Sequence, residues 1–294
     1  MKFGMVLEGG GMRGMYTAGV LDLLMEKDFY PDGIFGVSAG VCHGASYASH
    51  QKGRSYRINV ENCTNSDYMS FKSWLRTGDF FNADYAYGRI PDELIPFDYE
   101  TYDRYRDSMP LYAVVTNVDT GRAEYIPTGD MHKGIAYVRA SASLPIMARI
   151  VGVDGRRYLD GGVSDSIPVE AAMEHGYERN IVVLTRPEGY VKEPNELMPV
   201  IERIYGRRYP NLVRASAERH IVYNRTLERL DELEQEGKAF IIRPSETIKV
   251  SRIERKPEKL DAIYRLGYED AAACFEELSA FAEAARAAGA DSEA

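Results

Sequence analysis

Two glycine-rich turns near the start of the chain contain residue types that suit attack on an ester. The second turn, Gly36-Val37-Ser38-Ala39-Gly40, places a serine between two glycines. Because Gly36 and Gly40 have no side chains to clash, a sharp strand-to-helix turn at this point exposes the hydroxyl group of Ser38. The start of the following helix favours developing negative charge through its free N–H groups and its dipole. Ser38 is therefore a candidate nucleophile.

The first turn can supply backbone N–H donors to the oxyanion that such an attack produces. Loss of one donor aimed at this oxygen typically costs a factor of roughly 10² to 10³ in rate. Glycine suits the turn because the main chain must approach the reacting carbonyl closely, and Arg13 either anchors the loop or adds positive potential. The predicted oxyanion hole consists of Gly9, Gly10, Gly11, Met12, Arg13 and Gly14.

The same glycines allow a second interpretation, a nucleotide-binding loop. Gly9, Gly11 and Gly14 fit the pattern Gly-x-Gly-x-x-Gly. In that interpretation an acidic residue about 20 positions further on, at the end of the second strand, binds a ribose. Asp32 comes before that strand, and Ser38 stands at its end. A non-enzymatic nucleotide-binding module therefore stays as an alternative only.

A serine nucleophile needs a base, and histidine is the usual one. His43 and His50 follow Ser38 in a helical stretch and are expected to point along it. Three further histidines lie in polar surroundings and do not follow the end of a predicted strand; they are His132, His175 and His220. His220 formally satisfies the order serine, acid, histidine of an α/β-hydrolase, but that fold usually places several strands before its nucleophile and here there is room for two. Asp160 is the better candidate, because it ends a strand-like run and a carboxylate against the hydroxyl can act as general base directly.

The elements around these residues predict an α/β fold. Apolar runs at residues 3–7 and 33–37 are typical of buried strands, and a helical pattern lies between them. One βαβ unit would bring both turns to the same edge of a parallel sheet. Paired strands are expected at 111–115 with 123–126 and at 150–153 with 156–159.

Two further segments differ in composition from this α/β pattern. Residues 68–112 are rich in Tyr and Phe and have no clean hydrophobic period. This composition predicts an irregular insertion that packs over one end of the sheet; an acyl-pocket lining or a lid is an alternative role. Residues 186–284 are expected to be mainly helical, with one strand-like run at 239–242, and 285–294 to be a disordered tail. A locally basic stretch could contact anionic lipid headgroups or form a solvated face; it contains Arg203, Arg207, Arg208, Arg214, Arg219 and Arg225.

Composition excludes some classes of function. The formal net charge of −9 argues against a broad nucleic-acid surface, which needs clustered Lys and Arg. Cys42, Cys63 and Cys274 have no metal-like spacing and are interpreted as reduced thiols. The sequence has no signal-peptide pattern and no apolar run of about 18 residues, so a cytoplasmic protein is expected. No metal or cofactor is expected either. The oligomeric state stays open.

Three of these motifs together resemble the patatin-like phospholipase family in order and spacing: the turn at residues 9–14, the turn at 36–40 and Asp160-Gly161-Gly162. Residues 140–145, Ala-Ser-Ala-Ser-Leu-Pro, are similar to the family's segment before its aspartate. The resemblance covers residues 3–185 and implies a three-layer α/β/α fold with a mainly parallel central sheet. One departure is Ser166, where relatives often carry asparagine.

The resemblance also implies a function. It implies a Ser-Asp dyad without histidine, in which Ser38 is the nucleophile, Asp160 the proton acceptor and residues 9–14 the oxyanion hole, with Gly161 and Gly162 in support. The family cleaves acyl esters of glycerolipids through an acyl-enzyme that water resolves, without a metal. A lipid or acyl-ester substrate and transient contact with a membrane surface are therefore expected. An acyl-CoA thioesterase and a general carboxylesterase stay open as alternatives.

Overall fold

Within residues 2–290, which the computed structural model describes, eight strands form one mixed sheet. The strands are β1 (Lys2–Leu7), β2 (Gly33–Val37), β3 (Leu111–Asn117), β4 (Ala123–Pro127), β5 (Val151–Val153), β6 (Arg156–Asp160), β7 (Tyr177–Val183) and β8 (Ala239–Ile242). Five of them run parallel in the order β3-β2-β1-β7-β8, and β4, β5 and β6 join antiparallel beyond β3. The predicted strand pairs β3–β4 and β5–β6 are both confirmed.

Helices cover both faces of the sheet. They are α1 (Met15–Glu26), α2 (Ala39–Ala48), α3 (Arg54–Asn62), α4 (Phe71–Thr77), α5 (Tyr99–Tyr105), α6 (Met131–Ser141), α7 (Val169–Glu174), α8 (Met198–Tyr205), α9 (Pro210–Gln235), α10 (Pro257–Ala273) and α11 (Phe275–Ala290). Along β1, Met5 and Leu7 pack in one core with α1, α2 and α10, while Val6 packs with α7 and α9 on the other face. This alternation gives the three layers, α/β/α, that were predicted.

The aromatic insertion is more regular than the sequence suggested. It contains α4, a π-helical segment at Tyr85–Leu94 and α5, and its buried side chains join the larger core. These helical segments have seven to ten residues of mixed composition and are held by tertiary contacts, so they leave no clean period in the sequence. Among the described residues, no helix is long and apolar enough to cross a membrane.

The C-terminal part of the chain packs against the N-terminal part and extends the same sheet. Strand β8 pairs in parallel with β7 at the sheet edge. Helix α10 crosses α1 at a pair of glycines, where a Cβ on Gly19 would collide with the backbone of Tyr264 and one on Gly267 with that of Tyr16. The hydroxyl of Tyr16 donates to Asp270 across this contact (3.0 Å).

The prediction of a disordered tail at 285–294 was wrong for its first part. Helix α11 continues through Ala290, because alanine has the highest helix propensity and Ala282 and Ala285 are buried against the core. Residues 291–294 lie outside the described residues.

The glycine crossing yields a test of how firmly α10 is joined to the core. We expect Gly267→Ala to lower the free energy of unfolding by about 1–3 kcal/mol, because the added methyl group forces the two helices apart. Gly88→Ala is the control, since a Cβ there meets no atom within 4 Å. Urea denaturation measures both, and equal stability of the two variants would mean that the helices are not in close contact.

Candidate active site

Ser38 lies on a sharp turn between β2 and α2, as the sequence predicted. Its backbone has φ 55° and ψ −121°, a left-handed conformation that strains a residue with a side chain. The flanking glycines are needed for close approach, because a Cβ on Gly36 would collide with Val41 and one on Gly40 with the carbonyl oxygen of Leu7. The strain is therefore held by the packing of α2 against β1 and β2.

Strand register brings Ser38 and Asp160 to one point. Strand β2 pairs along one edge of β3 up to Val37, which lies opposite Val114. Strand β6 runs antiparallel along the same edge and ends with Asp160 opposite Val115, the next residue of β3. The other edge of β3 is occupied by β4. Strands β2 and β6 therefore meet end to end, with Ser38 following one end and Asp160 at the other.

Hydrogen bonds hold both residues in place. The Asp160 N–H donates to the carbonyl oxygen of Ser143 (2.8 Å), and the Gly162 N–H donates to Oδ1 of Asp160 (2.8 Å). The Ser38 N–H donates to Oγ of Ser141 (2.9 Å). Residues 140–145, which the sequence analysis noted without a role, thus tether both chain segments from the end of α6.

The carboxyl group of Asp160 is buried and incompletely paired. The residue is 1% exposed, and Oδ2 has no hydrogen-bond partner among the described residues. Burial raises the pKa of Asp160; the charge of Arg219, the nearby Ser38 hydroxyl and the Gly162 N–H oppose this increase in part. A buried, basic carboxylate beside a hydroxyl is suited to accept its proton.

The glycine turn contacts Ser38 directly. A Cβ on Gly9 would lie 2.9 Å from the Cβ of Ser38, and Gly11 adopts φ 57° against the backbone of Arg252. Of the predicted donors, the Met12 N–H donates to the Arg252 carbonyl (3.1 Å) and the Arg13 N–H to that of Gly10 (3.3 Å). Within the described residues, the N–H groups of Gly9, Gly10 and Gly11 have no acceptor and are available to a ligand. Gly14 instead allows close packing against Ala39 and His43.

Two other potential reactive groups near Ser38 are neutral. His43 is buried at the start of α2, which lowers its pKa to about 4, and Cys42 has its pKa raised to about 11 by burial. Neither lines the cleft that holds Asp160, and no other histidine of residues 2–290 does so. Asp160 is thus the acid or base that this part of the structure places beside Ser38.

Two cavities meet at Ser38. The larger, of about 140 Å³, is mainly apolar and has the space of roughly five water molecules. Side chains of the aromatic insertion line it together with α2, α3 and α6; they include Tyr68, Phe81, Tyr87 and Phe97, with Cys42, Ile58 and Val138. The smaller is a polar cleft that contains Asp160 and the glycine turn. Ser166 lies in this cleft and donates to the carbonyl oxygen of Gly162 (2.9 Å).

Sequence reasoning missed the basic residues of the polar cleft. They are Lys192, Arg219 and Arg252, which come from the C-terminal half of the chain. Arg219 was expected in a basic stretch at the surface, but it faces Gly162, while Arg203, Arg207, Arg208, Arg214 and Arg225 are exposed. No local motif marks these residues; the loop after β7, helix α9 and the loop after β8 bring them to the cleft that holds Asp160.

Comparison with known proteins agrees with this geometry. Residues 5–173, more than half of the chain, match the patatin-like phospholipase family. The chain belongs to this family. The strand ends that carry Ser38 and Asp160 both lie inside the matched patatin-like region. Residues 209–283 match a second family, described as a domain of unknown function (DUF6363), which contains Arg219 and Arg252.

Individual relatives cover parts of the chain. The protein YjjU of Escherichia coli (strain K12) is 30% identical over 190 residues, which are 63% of this chain and 52% of that protein. Lysophospholipase NTE1 of Cryptococcus neoformans is 29% identical over 201 residues, 62% of this chain and 11% of that protein. The chain thus spans about half the length of the first and about a tenth of the second. The structure of VipD from Legionella pneumophila is similar with a TM-score of 0.47 and 12% identity, covering 94% of this chain and 67% of VipD.

The raised pKa of Asp160 has a consequence for stability. Because the folded-state pKa is raised, the ionised carboxylate opposes folding above its unfolded pKa, and this cost disappears as the pH falls. We expect Asp160→Asn to increase the free energy of unfolding at pH 7.5, with a smaller increase near pH 4. Urea denaturation at both pH values measures the difference. Asp107→Asn, at a residue whose side chain is 98% exposed, is the control and should change neither value; a destabilised Asp160→Asn at pH 7.5 would contradict the prediction.

Proposed function

We propose that the protein is a serine acyl hydrolase that cleaves carboxylic esters of lipids through an acyl-enzyme on Ser38. The observation that carries this proposal is the end-to-end meeting of β2 and β6, beside a free set of glycine N–H groups and an apolar cavity. Membership of the patatin-like phospholipase family and the similarity to NTE1 lysophospholipases support the lipid ester substrate.

Each step of the proposed reaction uses a group described above. Oδ2 of Asp160 takes the proton of the Ser38 hydroxyl as its oxygen attacks the ester carbon, and the N–H groups of Gly9, Gly10 and Gly11 stabilise the oxyanion. When the tetrahedral intermediate collapses, Asp160 returns the proton to the leaving alcohol. A water molecule, deprotonated by Asp160, then releases the fatty acid and restores Ser38.

The cavity at Ser38 fits the acyl chain of such a substrate. Its lining is mainly apolar, and it opens at the serine that would carry the acyl group. Burial of each methylene group contributes about 0.8 kcal/mol, so the chain supplies much of the binding free energy. This assigns to the aromatic insertion the role of an acyl pocket.

An acyl-CoA thioesterase, a general carboxylesterase and a nucleotide-binding module remain as alternatives, and they differ in measurable ways. The thioesterase turns over acyl-CoA faster than phospholipid, and the carboxylesterase shows no preference for lipids. The nucleotide-binding module binds a dinucleotide in the Ser38→Ala variant and loses it when Gly11 is substituted.

Labelling with a fluorophosphonate probe tests the nucleophile. We expect the wild type to be labelled, Ser38→Ala to be unlabelled, and Asp160→Asn to be labelled at least a hundredfold more slowly, because the hydroxyl loses its proton acceptor. Ser108→Ala, at an exposed serine of the same protein, is the control and should label like the wild type. Labelling that survives in Ser38→Ala would remove Ser38 as nucleophile.

The pH dependence of ester hydrolysis tests the base. Asp160 must be ionised to accept a proton, so kcat/KM should fall as the pH drops through its pKa. Because burial raises this pKa, the acid limb should lie above the ordinary range of an aspartate. A pH–rate profile measures it, and a constant rate down to pH 4 would exclude Asp160 as the base.

Chain-length preference tests the acyl pocket. Ile58→Trp places a larger side chain in the apolar cavity, which should displace about two methylene groups and lower kcat/KM for a decanoyl ester about tenfold relative to a butyryl ester. Ile58→Leu conserves volume and should leave the ratio of the two rates unchanged. If the ratio is also unchanged in Ile58→Trp, the acyl chain lies elsewhere.

A further inference from the structure

The polar cleft beside Ser38 holds an unusual concentration of unpaired positive charge. Four basic side chains line it, and a fifth, Arg186, lies close enough to affect them; the four are Arg13, Lys192, Arg219 and Arg252. Within residues 2–290, none of these five side chains forms an ion pair or donates a hydrogen bond to another residue; Lys192 and Arg186 instead lie over the rings of Tyr223 and Tyr190. A cluster of this kind is normally neutralised by acidic side chains.

The two carboxylates in the cleft are engaged elsewhere. Glu8 accepts hydrogen bonds from the N–H and hydroxyl of Thr185 (2.6 and 3.0 Å) and from the hydroxyl of Tyr223 (2.7 Å). Oδ1 of Asp160 accepts from the Gly162 N–H, and the carboxyl group lies beside the Ser38 hydroxyl. Both carboxylates lie near the cations and offset part of their charge, but within residues 2–290 neither accepts a hydrogen bond from any of them.

Two of these cations have a buried Nε atom, which makes the lack of a hydrogen-bonded anionic partner more costly. Arg13 is 7% exposed, and its Nε has no hydrogen-bond partner among the described residues; the same is true of the buried Nε of Arg219. A buried charge without a hydrogen-bonded partner carries a large energetic cost. In agreement, burial and the neighbouring cations lower the pKa of Lys192 to about 7 and that of Arg13 to about 10. An anion in the cleft would relieve this cost for several side chains at once.

The cleft lies where open α/β sheets bind ligands. Strand β1 leads into α1 on one face of the sheet, while α9, which follows β7 in the chain and leads to β8, lies on the other face. The loops after β1 and β7 therefore diverge and leave a crevice at their carboxyl ends. Arg13 comes from the first of these loops and Lys192 from the second, while α9 and the loop after β8 add Arg219 and Arg252.

The position of the charge relative to Ser38 indicates which part of a substrate it would meet. Gly11, Ser38, Leu144 and Arg252 line both the polar cleft and the apolar cavity. With the acyl chain in the apolar cavity, the alcohol half of the ester extends into the cleft. At Gly162 a Cβ would lie 3.1 Å from Nη2 of Arg219, so this guanidinium stands close beside Asp160.

We propose that Arg13, Lys192, Arg219 and Arg252 form a subsite for a phosphate group on the alcohol side of the ester. This inference rests on the proposed hydrolase function and narrows its substrate to acyl esters of phosphorylated alcohols. It also gives a role to the region of residues 209–283, which supplies two of the four cations. A thioester of coenzyme A fits less well, because its long pantetheine arm holds the phosphates far from the reacting carbonyl.

The test compares two substrates with the same acyl chain, 1-acylglycerol 3-phosphate and 1-acylglycerol. In Lys192→Met we expect the ratio of kcat/KM for the phosphorylated to the neutral ester to fall at least tenfold, the effect of losing a charge-assisted hydrogen bond. Arg219→Met should lower the same ratio. Arg225→Met, an exposed arginine on the same helix, is the matched control and should leave the ratio at the wild-type value.

A binding measurement separates this inference from the hydrolase proposal. We expect inorganic phosphate and glycerol 3-phosphate to raise the Tm of the wild type and of Arg225→Met but not of Lys192→Met, with sodium chloride at equal ionic strength as reference. Hydrolysis with an unchanged ratio in Lys192→Met would overturn the phosphate subsite and leave the hydrolase intact. Phosphate binding without hydrolysis of any ester would overturn the substrate assignment and show a site for free anions. A folded protein that does neither contradicts both proposals.

Discussion

The site depends on how β3 shares one of its edges between two strands. Strand β2 occupies the first part of this edge in parallel, and β6 occupies the last part in the antiparallel direction, so their carboxyl ends point at each other. Ser38 and Asp160 are 122 positions apart in sequence. Ser38 nevertheless directly follows the end of β2, Asp160 ends β6, and these two strand ends lie opposite consecutive residues of β3. Because the two strand ends already place Ser38 and Asp160 next to each other, neither residue needs a long side chain to reach across the cleft. In the proposed mechanism, this arrangement lets a short aspartate take the place that a histidine usually holds beside a serine.

Such a site is costly for the folded state, and the rest of the fold offsets the cost. Ser38 has a strained backbone, Asp160 is a buried carboxyl with a raised pKa, and Arg13 is a buried cation whose Nε has no hydrogen-bond partner within residues 2–290. Each of these features opposes folding, and strain of this kind persists only where the surrounding structure fixes it. Here the central strands β1, β2 and β3 are almost entirely buried, and the helices α1 and α10 approach to backbone contact at Gly19 and Gly267. The destabilising features lie at the carboxyl ends of the strands, and the stabilising contacts lie within the sheet and between α1 and α10.

The sequence predicts those parts of the fold that depend on local chemistry. Strand β1, the turn at Ser38 and the hairpin of β5 and β6 follow from apolar runs and turn residues that lie next to each other in the chain. Residues brought in by distant elements could not be predicted in the same way. Arg219 lies in a helix with an ordinary surface pattern, and nothing near it in sequence shows that it faces Gly162. The short helices of the aromatic insertion were missed for the same reason, because tertiary packing rather than propensity holds them.

The contacts of the glycine turn argue that the C-terminal region is part of the site and not an appendage. Glu8, at the entrance to the turn, is held by Thr185 after β7 and by Tyr223 of α9. On the far side of the turn, the Met12 N–H donates to the Arg252 carbonyl, while within the described residues the N–H groups of Gly9, Gly10 and Gly11 have no acceptor. The turn is thus fixed at both ends by residues that follow the matched patatin-like region. An oxyanion hole works only when its donors are fixed before the reaction, so in the proposed mechanism these residues and the strand ends together define the geometry of the site.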